Sequence, residues 1–175
     1  MESDKGLRPV LLRTALALLE SEGEVPSLRA VARAANVSAM APYRHFADKA
    51  ALLAAVADRG FAMLGDALTV ADAHSNPREA LYGQGVAFTR FARAHPALFR
   101  LMFGPQHGHA GSAAIDRADN VLERRASELG PEDSVAAKLA CRALVQGLAV
   151  IEASGRLAHG ESPEAAIRFF TNRLG

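Results

Sequence analysis

Basic and polar side chains are concentrated in residues 27–49, SLRAVARAANVSAMAPYRHFADK, where Asp48 is the only acid. Four cations lie in this segment: Arg29, Arg33, Arg44 and Lys49. The whole chain of 175 residues has a formal charge of only +1, so the positive excess is local. Four cations alone would equally suit a solvated helix surface. A compact basic face on a nearly neutral body also suits phosphate binding, better than a diffuse charge would.

The same segment has the pattern of a helix-turn-helix. Leu28, Val31 and Ala32 form an apolar stripe at helical spacing. Asn36 tolerates the left-handed backbone of a sharp interhelical turn, and Ser38 is placed to cap a second short helix. In such a motif the second helix enters the major groove and its N-terminal residues meet base edges. The pattern therefore predicts a double-stranded DNA partner.

The expected groove-facing residues are Ala39, Met40 and Ala41, none of which can hydrogen-bond a base through its side chain. They can contact thymine methyl groups, which gives a weak, shape-dependent specificity. Hydrogen-bonded discrimination would fall to Arg29 and Arg44. The arginine guanidinium donates hydrogen bonds to guanine and to phosphate oxygens alike. We expect Arg44 to bind phosphate, whereas for Arg29 both roles stay open.

Three stretches of the chain resemble a known family. VSAMAPYRHFADKAALLAAVADRGF (residues 37–61) resembles the N-terminal domain of TetR-type transcriptional regulators, in which Tyr-x-His-Phe is followed by Lys. HPALFRLMFGP (residues 95–105) and RALVQGLAVIEASGRL (residues 142–157) resemble the ligand-sensing domain called WHG, after a Trp…His-Gly motif. Arg142 and Gln146 stand where that Trp and His would be, and only Gly147 remains. The resemblance covers nearly the whole chain, most strongly residues 7–68.

This resemblance implies a ligand-responsive transcriptional repressor acting on a palindromic operator. The family contacts of its Tyr, His and Lys with DNA backbone map onto Tyr43, His45 and Lys49. Lys49 also lies in the first turn of a helix, which favours anions. For Tyr43 the alternative is a partly buried helix-packing tyrosine. The predicted DNA-contacting residues are Ser27, Arg29, Ser38, Ala39, Met40, Ala41, Tyr43, Arg44, His45 and Lys49.

Aromatic and methionine side chains are clustered in the second half of the chain. Such a cluster is more often plain core than a ligand site, but the resemblance implies an effector pocket, and helical bundles often hold one in their interior. We therefore predict a small, mostly apolar effector. The predicted pocket residues are Phe88, Phe91, Phe99, Met102, Phe103, His107 and Gln146.

Small residues recur at intervals of three or four along residues 136–147, which permits close approach of another helix. They either pack within the subunit or form half of a four-helix dimer interface. We favour a homodimer, because one short reading helix contacts too few base pairs to be specific alone. The predicted interface residues are Ala140, Ala143, Leu144, Gly147, Leu148, Ile151, Phe169 and Phe170.

Helix signals cover the chain, and they predict an all-α fold of about nine helices. Leu12, Ala15, Leu16 and Leu19 give the first helix an inward stripe. Residues 1–50 form the predicted three-helix DNA-binding domain, a helix over 48–68 capped by Asp48 connects the domains, and residues 70–175 form the ligand-binding and dimerisation domain. Helix starts are also marked at residues 76–79, 131–133 and 162–164.

Other classes of site find little support. His107 and His109 could share a metal ion, but a solvated loop is favoured because the spacing supplies no four-ligand set. Cys141 is the single cysteine and lies mid-helix without a neighbouring histidine, so no nucleophilic site, cofactor or metal is predicted. The longest apolar run, residues 50–57, is too short to cross a membrane, and we expect a cytoplasmic protein. The competing functions are an enzyme in the C-terminal bundle and a DNA-binding adaptor without a small-molecule switch.

Overall fold

The computed structural model describes residues 6–104, 113–129 and 134–174, and these residues form helices without any strand. The α-helices are α1 (Leu7–Glu22), α2 (Leu28–Ala34), α3 (Lys49–Ala71), α4 (Pro77–Ala94), α5 (Pro96–Phe103), α6 (Ala113–Leu129), α7 (Ser134–Ala153) and α8 (Pro163–Thr171). A 3₁₀ turn, Pro42–Arg44, lies between α2 and α3. The all-α prediction is confirmed, with eight α-helices and one 3₁₀ turn in the described part.

The chain divides into two compact units. Of the described residues, 6–60 and 95–104 belong to the first unit, and 61–94, 113–129 and 134–174 belong to the second. The predicted C-terminal domain, 70–175, includes α5, whereas the structure places α5 in the first unit. Helix α3 contributes residues to both units.

The first unit is built around α1 and the close approach of α3 to α5. The buried residues of α1 are Leu11, Ala15 and Leu19, so Ala15 and Leu19 face inward as predicted, whereas Leu12 and Leu16 are only half-buried. A Cβ added at Gly60 would lie 2.5 Å from Sδ of Met102, and Met102 is fully buried. Glycine at position 60 therefore lets α5 pack directly on α3.

Helix α4 is the centre of the second unit, where it contacts α6, α7 and α8. Its start is capped as predicted, because Oδ1 of Asn76 accepts hydrogen bonds from the N–H groups of Arg78 (2.9 Å) and Glu79 (3.4 Å). Both carboxylate oxygens of Glu79 accept from Arg168 on α8, at 2.6 and 3.0 Å. This hydrogen-bonded guanidinium lowers the pKa of Glu79. The two oppositely charged side chains thereby fix α8 against α4.

Candidate DNA-binding surface and effector site

The turn after α2 has the geometry that the sequence predicts. Asn36 has φ = 53°, a left-handed conformation, and the N–H of Val37 donates to the carbonyl of Ala32 at 3.0 Å. At the other end of α2, Oγ of Ser27 accepts a hydrogen bond from the N–H of Ala30 at 3.1 Å. The Ser27 hydroxyl thus caps the helix, and its own hydrogen stays available to a phosphate oxygen.

The second helix of the motif is shorter than the sequence predicts. Residues 39–41 form turns, and only Pro42–Arg44 has helical hydrogen bonding, of the 3₁₀ type. The carbonyl of Ser38 accepts from the N–H of Ala41 at 2.9 Å, and that of Pro42 accepts from His45 at 3.0 Å. The α-helical hydrogen bond to the carbonyl of Ser38 would come from the N–H of residue 42. It cannot form because Pro42 has no N–H. Ser38 therefore begins a tight turn and does not cap an α-helix.

The three residues expected to face bases differ in exposure. Met40 is 66% exposed and Ala39 is also exposed, so both can reach a groove. Ala41 is only 9% exposed and packs in the interior of the unit. The prediction for Ala41 is corrected: in this tight turn its side chain points away from solvent, and it cannot read a base.

The cations and the aromatic ring of the motif lie on the surface. Arg29, Arg44 and Lys49 are exposed, and Tyr43 is 42% exposed. That exposure leaves the phenol hydroxyl within reach of a phosphate and fits a purely packing tyrosine poorly. His45 is half-buried. The residue next in sequence, Phe46, is 3% exposed and anchors the segment to the core.

The predicted cap of α3 is present. Oδ1 of Asp48 accepts from the N–H of Ala51 at 2.8 Å, and its carbonyl accepts from Leu52 at 3.2 Å. Lys49 is therefore the first residue of α3, and the backbone N–H groups of Lys49 and Ala50 remain at the helix start. An ammonium group beside such N–H groups suits an anionic partner.

One cation near this surface is not indicated by the sequence pattern. Arg8, on α1, places its guanidinium 5.2 Å from the centre of the Phe46 ring. Arg8 is exposed, so it adds positive charge beside the 3₁₀ turn. The two residues are 38 positions apart, and only the packing of α1 against the motif brings them together.

Two family models match this chain and between them cover most of it. The model for bacterial regulatory proteins of the tetR family matches residues 11–56. The model for the tetracyclin repressor-like C-terminal domain matches residues 81–174. The chain belongs to the TetR family. This membership makes it a transcriptional regulator and not an enzyme.

Solved structures of other proteins are similar to this regulator. A protein of unknown function from Rhodococcus sp. RHA1 is 34% identical, with a TM-score of 0.80, over 95% of this chain and 92% of that one. A possible TetR family transcriptional regulator from Streptomyces coelicolor A3(2) is 27% identical, with a TM-score of 0.68, over 89% and 76%. PfmR, a TetR family regulator from Thermus thermophilus, shares the fold at 24% identity, with a TM-score of 0.61, over 93% and 94%. No protein of curated function matches the sequence.

The residues predicted for an apolar effector pocket fall in different units. Phe88, Phe91 and Gln146 belong to the second unit, and Phe99, Met102 and Phe103 belong to the first. The two phenylalanines of the second unit are 4% and 7% exposed, and the ring centres of Phe99 and Phe103 are 4.6 Å apart. His107 lies outside the described residues. Three cavities among the described residues are lined by other side chains, and the predicted pocket stays a prediction.

A cleft of about 490 Å³ lies in the second unit, between the end of α3 and one face of α6. Its wall is polar. Six hydrogen-bonding side chains line it: Thr69, Asp72, Asp116, Arg117, Asn120 and Arg124. This polarity differs from the apolar pocket that the sequence predicts.

The Asp72 carboxylate joins three elements beside the cleft. Oδ1 accepts from Nε2 of Gln84 on α4 (2.8 Å) and from Nε of Arg125 on α6 (2.7 Å), and Oδ2 pairs with Nη2 of Arg124. The Asp72 side chain is 10% exposed and Gln84 is fully buried. A buried carboxylate requires such partners because it has lost its hydration.

Arg142 and Gln146, which stand in place of the Trp and His of the WHG motif, both lie on α7. Arg142 pairs with Glu123 and lies 3.7 Å from Asp119, both on α6. It therefore ties α7 to α6. Gln146, one turn later, is half-buried.

The residues predicted for the dimer interface all retain some exposure. Ala140, Ala143 and Phe169 are exposed, and the other five predicted residues are half-buried. The opposite face of α7, represented by Cys141, Val145 and Ala149, is buried in the subunit. The small-residue stripe thus lies on the side of α7 that the subunit core leaves uncovered.

Within the described ranges no group of three or more metal-ligating side chains occurs, and the His107 and His109 hypothesis lies outside those ranges. No helix in the described part is long and apolar enough to span a bilayer.

Proposed function

We propose that this regulator is a repressor that binds a palindromic operator as a homodimer and releases it when a small effector binds. The proposal rests on the side chains that residues 27–49, which we call the reading segment, expose to solvent. Met40 and Tyr43 are exposed there, and so are the cations Arg29, Arg44 and Lys49. An exposed apolar side chain and exposed cations in one motif suit a major groove, whose floor presents thymine methyl groups and whose rims are phosphates.

The contacts divide into two kinds with different consequences. Ala39 and Met40 would meet base edges and set which sequence is preferred. Tyr43, Arg44, His45 and Lys49 would hold the phosphate backbone, and Ser27 would add a hydroxyl donor. Such contacts position the protein without reading sequence. Arg29 is the residue that can serve either purpose.

Support for the homodimer comes from apolar side chains that the subunit leaves exposed in its second unit. The larger ones are Val135 (77%), Leu139 (64%) and Val150 (52%) on α7 and Phe169 (60%) on α8. Exposed apolar groups of this size along one helix face are typical of a surface that another protein covers. A second copy of the chain would bury them and would also supply the second reading segment.

Repression would follow from occupancy of the operator, and relief from the effector. A ligand shifts the DNA-bound population only if it prefers a conformation that binds DNA less well. In the competent dimer, the two reading segments would lie about 34–36 Å apart, one turn of DNA.

The test is binding to DNA from upstream of the protein's own gene, measured by fluorescence anisotropy over a series of salt concentrations. We expect a palindromic site and a steep salt dependence, with a slope of about −0.9 in log K against log salt for each phosphate contacted. Lys49→Ala should weaken binding to all sequences and reduce the slope by about one such contact. Lys138→Ala, in the second unit, is the matched control and should bind as the parent does.

Two further outcomes decide parts of the proposal. Arg29→Ala should relax one guanine position at about 1–3 kcal/mol if Arg29 reads a base, or weaken all sequences alike if it binds phosphate. A salt slope near zero in the parent protein, or full specificity for the palindrome in a monomer, would refute the proposed mode of binding.

A further inference from the structure

The polar cleft between α3 and α6 contains two arginines whose hydrogen-bonding capacity is only partly used. Nη2 of Arg117 donates to Oδ1 of Asp66 (3.1 Å) and to the carbonyl of Ala62 (3.3 Å), and Nη2 of Arg124 pairs with Asp72. In each guanidinium, Nε and Nη1 carry three further N–H donors. Both side chains are more than half exposed, at 54% and 58%. The cleft therefore offers several charged donors to a bound anion.

The existing ion pairs leave room for such an anion. Asp66 is 69% exposed, and an ion pair between two exposed side chains contributes little to stability. The Asp72 side chain is only 10% exposed, but it keeps Arg125 and Gln84 when Arg124 turns away, since both of those donate to Oδ1. The Asp72 carboxylate would therefore still have hydrogen-bond partners if Arg124 turned to a bound ligand.

Two further side chains can distinguish one acid from another. Asp116 and Asn120 lie one turn apart on the face of α6 that lines the cleft, and both are exposed. A carboxylate accepts hydrogen bonds and attracts cations, and an amide both donates and accepts. A hydroxyl or ammonium group on the ligand would thus find acceptors beside the arginines.

We infer that this cleft is the effector site and that it takes a small polar carboxylic acid bearing a hydroxyl or ammonium group. The inference rests on the proposed ligand-responsive function and replaces the apolar effector that the sequence predicts. The carboxylate binds Arg117 and Arg124, and the second polar group binds Asp116 and Asn120. A cleft of about 490 Å³ is of the size that binds metabolites.

The cleft is lined by the end of α3, the helix whose first residue, Lys49, is predicted to contact DNA. Thr69 belongs to the last turn of α3 and Asp72 directly follows the helix, whereas Lys49 is the first residue of the same helix. A ligand that draws Arg124 from Asp72 changes the contacts that hold the end of α3. The effector would act on α3 through this carboxylate.

Binding is tested by isothermal titration calorimetry on the full chain with four probes of equal chain length. Malate and aspartate carry the predicted second group, succinate lacks it, and succinamide lacks the carboxylates. We expect malate or aspartate to bind more tightly than succinate, and succinamide not to bind. Arg117→Met and Arg124→Met should each raise Kd about tenfold or more, since each removes charge-assisted hydrogen bonds. Arg90→Met, an exposed arginine on α4, should leave Kd unchanged.

A second pair of variants tests the selective part of the site. Asp116→Asn and Asn120→Leu should weaken malate or aspartate and leave succinate nearly unaffected. Should none of the three acids bind, or should their binding survive Arg117→Met and Arg124→Met, the assignment of this cleft is overturned.

Operator release, measured with the same probes, separates this inference from the proposed function. An acid that binds the cleft without releasing operator DNA would refute ligand-controlled repression through this site and leave the binding site established. An apolar compound that releases DNA equally from the parent and from Arg124→Met would refute the cleft and leave the repressor proposal standing.

Discussion

The carboxylate of Glu20 on α1 accepts a hydrogen bond from the backbone N–H of Leu98 in the first turn of α5, at 3.1 Å. The first N–H groups of a helix have no partner within the helix, and here His95, the residue before α5, supplies no side-chain cap. A side chain from another helix thus does the work of a cap. It fixes where α5 begins relative to α1 within the first unit.

Glu20→Ala should lower the free energy of unfolding by about 1 kcal/mol, as the loss of a helix cap does. For a chain of this length, that corresponds to a fall in Tm of about 2–4 °C. Glu20→Gln keeps an acceptor oxygen and should retain most of the stability. Glu22→Ala, an exposed residue of the same helix, is the control. Equal losses in the Ala and Gln variants would show that charge, and not the hydrogen bond, stabilises the contact.

Met40→Gln should change the preferred operator sequence more than it changes affinity for DNA in general. Met40 is 66% exposed, so the substitution leaves the core intact and introduces a side chain that can hydrogen-bond adenine. The measurement is selection from a randomised DNA pool. Val70→Gln changes a residue that is 78% exposed outside the reading segment and serves as the control. Recovery of the parental sequence by Met40→Gln would contradict insertion of this residue into the groove.

Gly147→Leu should produce monomers that keep their fold and lose operator binding. A Cβ at Gly147 meets nothing within 4 Å in the subunit, so the new side chain disturbs only a surface that a second copy would cover. Light scattering gives the mass, and thermal unfolding gives the stability. At Gly85 a Cβ would lie 2.8 Å from Cγ2 of Ile167, so Gly85→Leu should instead destabilise the subunit. A dimeric Gly147→Leu protein would contradict the proposed interface.

Cys141 should react slowly with iodoacetamide in the folded protein. Burial raises the pKa of its thiol to about 11, and the residue is 3% exposed. The thiolate fraction at pH 8 is then about 0.1%, roughly a hundredth of that expected for the ordinary pKa of 9.0. We expect labelling at least about tenfold slower in buffer than in denaturant.

The same shift has a consequence for stability. Because the folded pKa of Cys141 lies above its ordinary value, the stability present below pH 9 should decrease as the pH rises towards 11. Cys141→Ala should remove this part of the pH dependence. Rapid labelling of the folded protein at pH 8 would contradict burial of the thiol.

Local signals in the sequence predicted the helices and their boundaries well. Asn36 at φ = 53°, the cap Asp48 and the helix start at residues 162–164 follow from the chemistry of single residues, and they occur where predicted. Each depends on neighbours within four positions. The 3₁₀ turn was equally local, since the missing N–H of Pro42 is visible in the sequence, but the prediction of a regular helix neglected it.

Contacts between distant residues could not be predicted in the same way. The sequence did not indicate that Phe88 and Phe99 belong to different units, and α5 belongs to the first unit because Met102 packs on Gly60. The polar cleft depends on Asp72 meeting Arg124, more than fifty residues away. The amino-acid composition of a segment shows how many apolar side chains it has to bury. It does not show which helices will pack against them.

Met40 is exposed and its neighbour Ala41 is buried. Natural selection therefore acts on these two adjacent codons for different reasons. In the proposed binding mode, substitutions at Met40 alter the preferred operator, and they leave the hydrophobic interior unchanged because that side chain contributes little to it. Substitutions at Ala41 change a buried side chain and therefore mainly affect folding. After duplication of its gene, a copy of this regulator could therefore acquire a new operator through single changes at Ala39 or Met40, with every intermediate still able to fold.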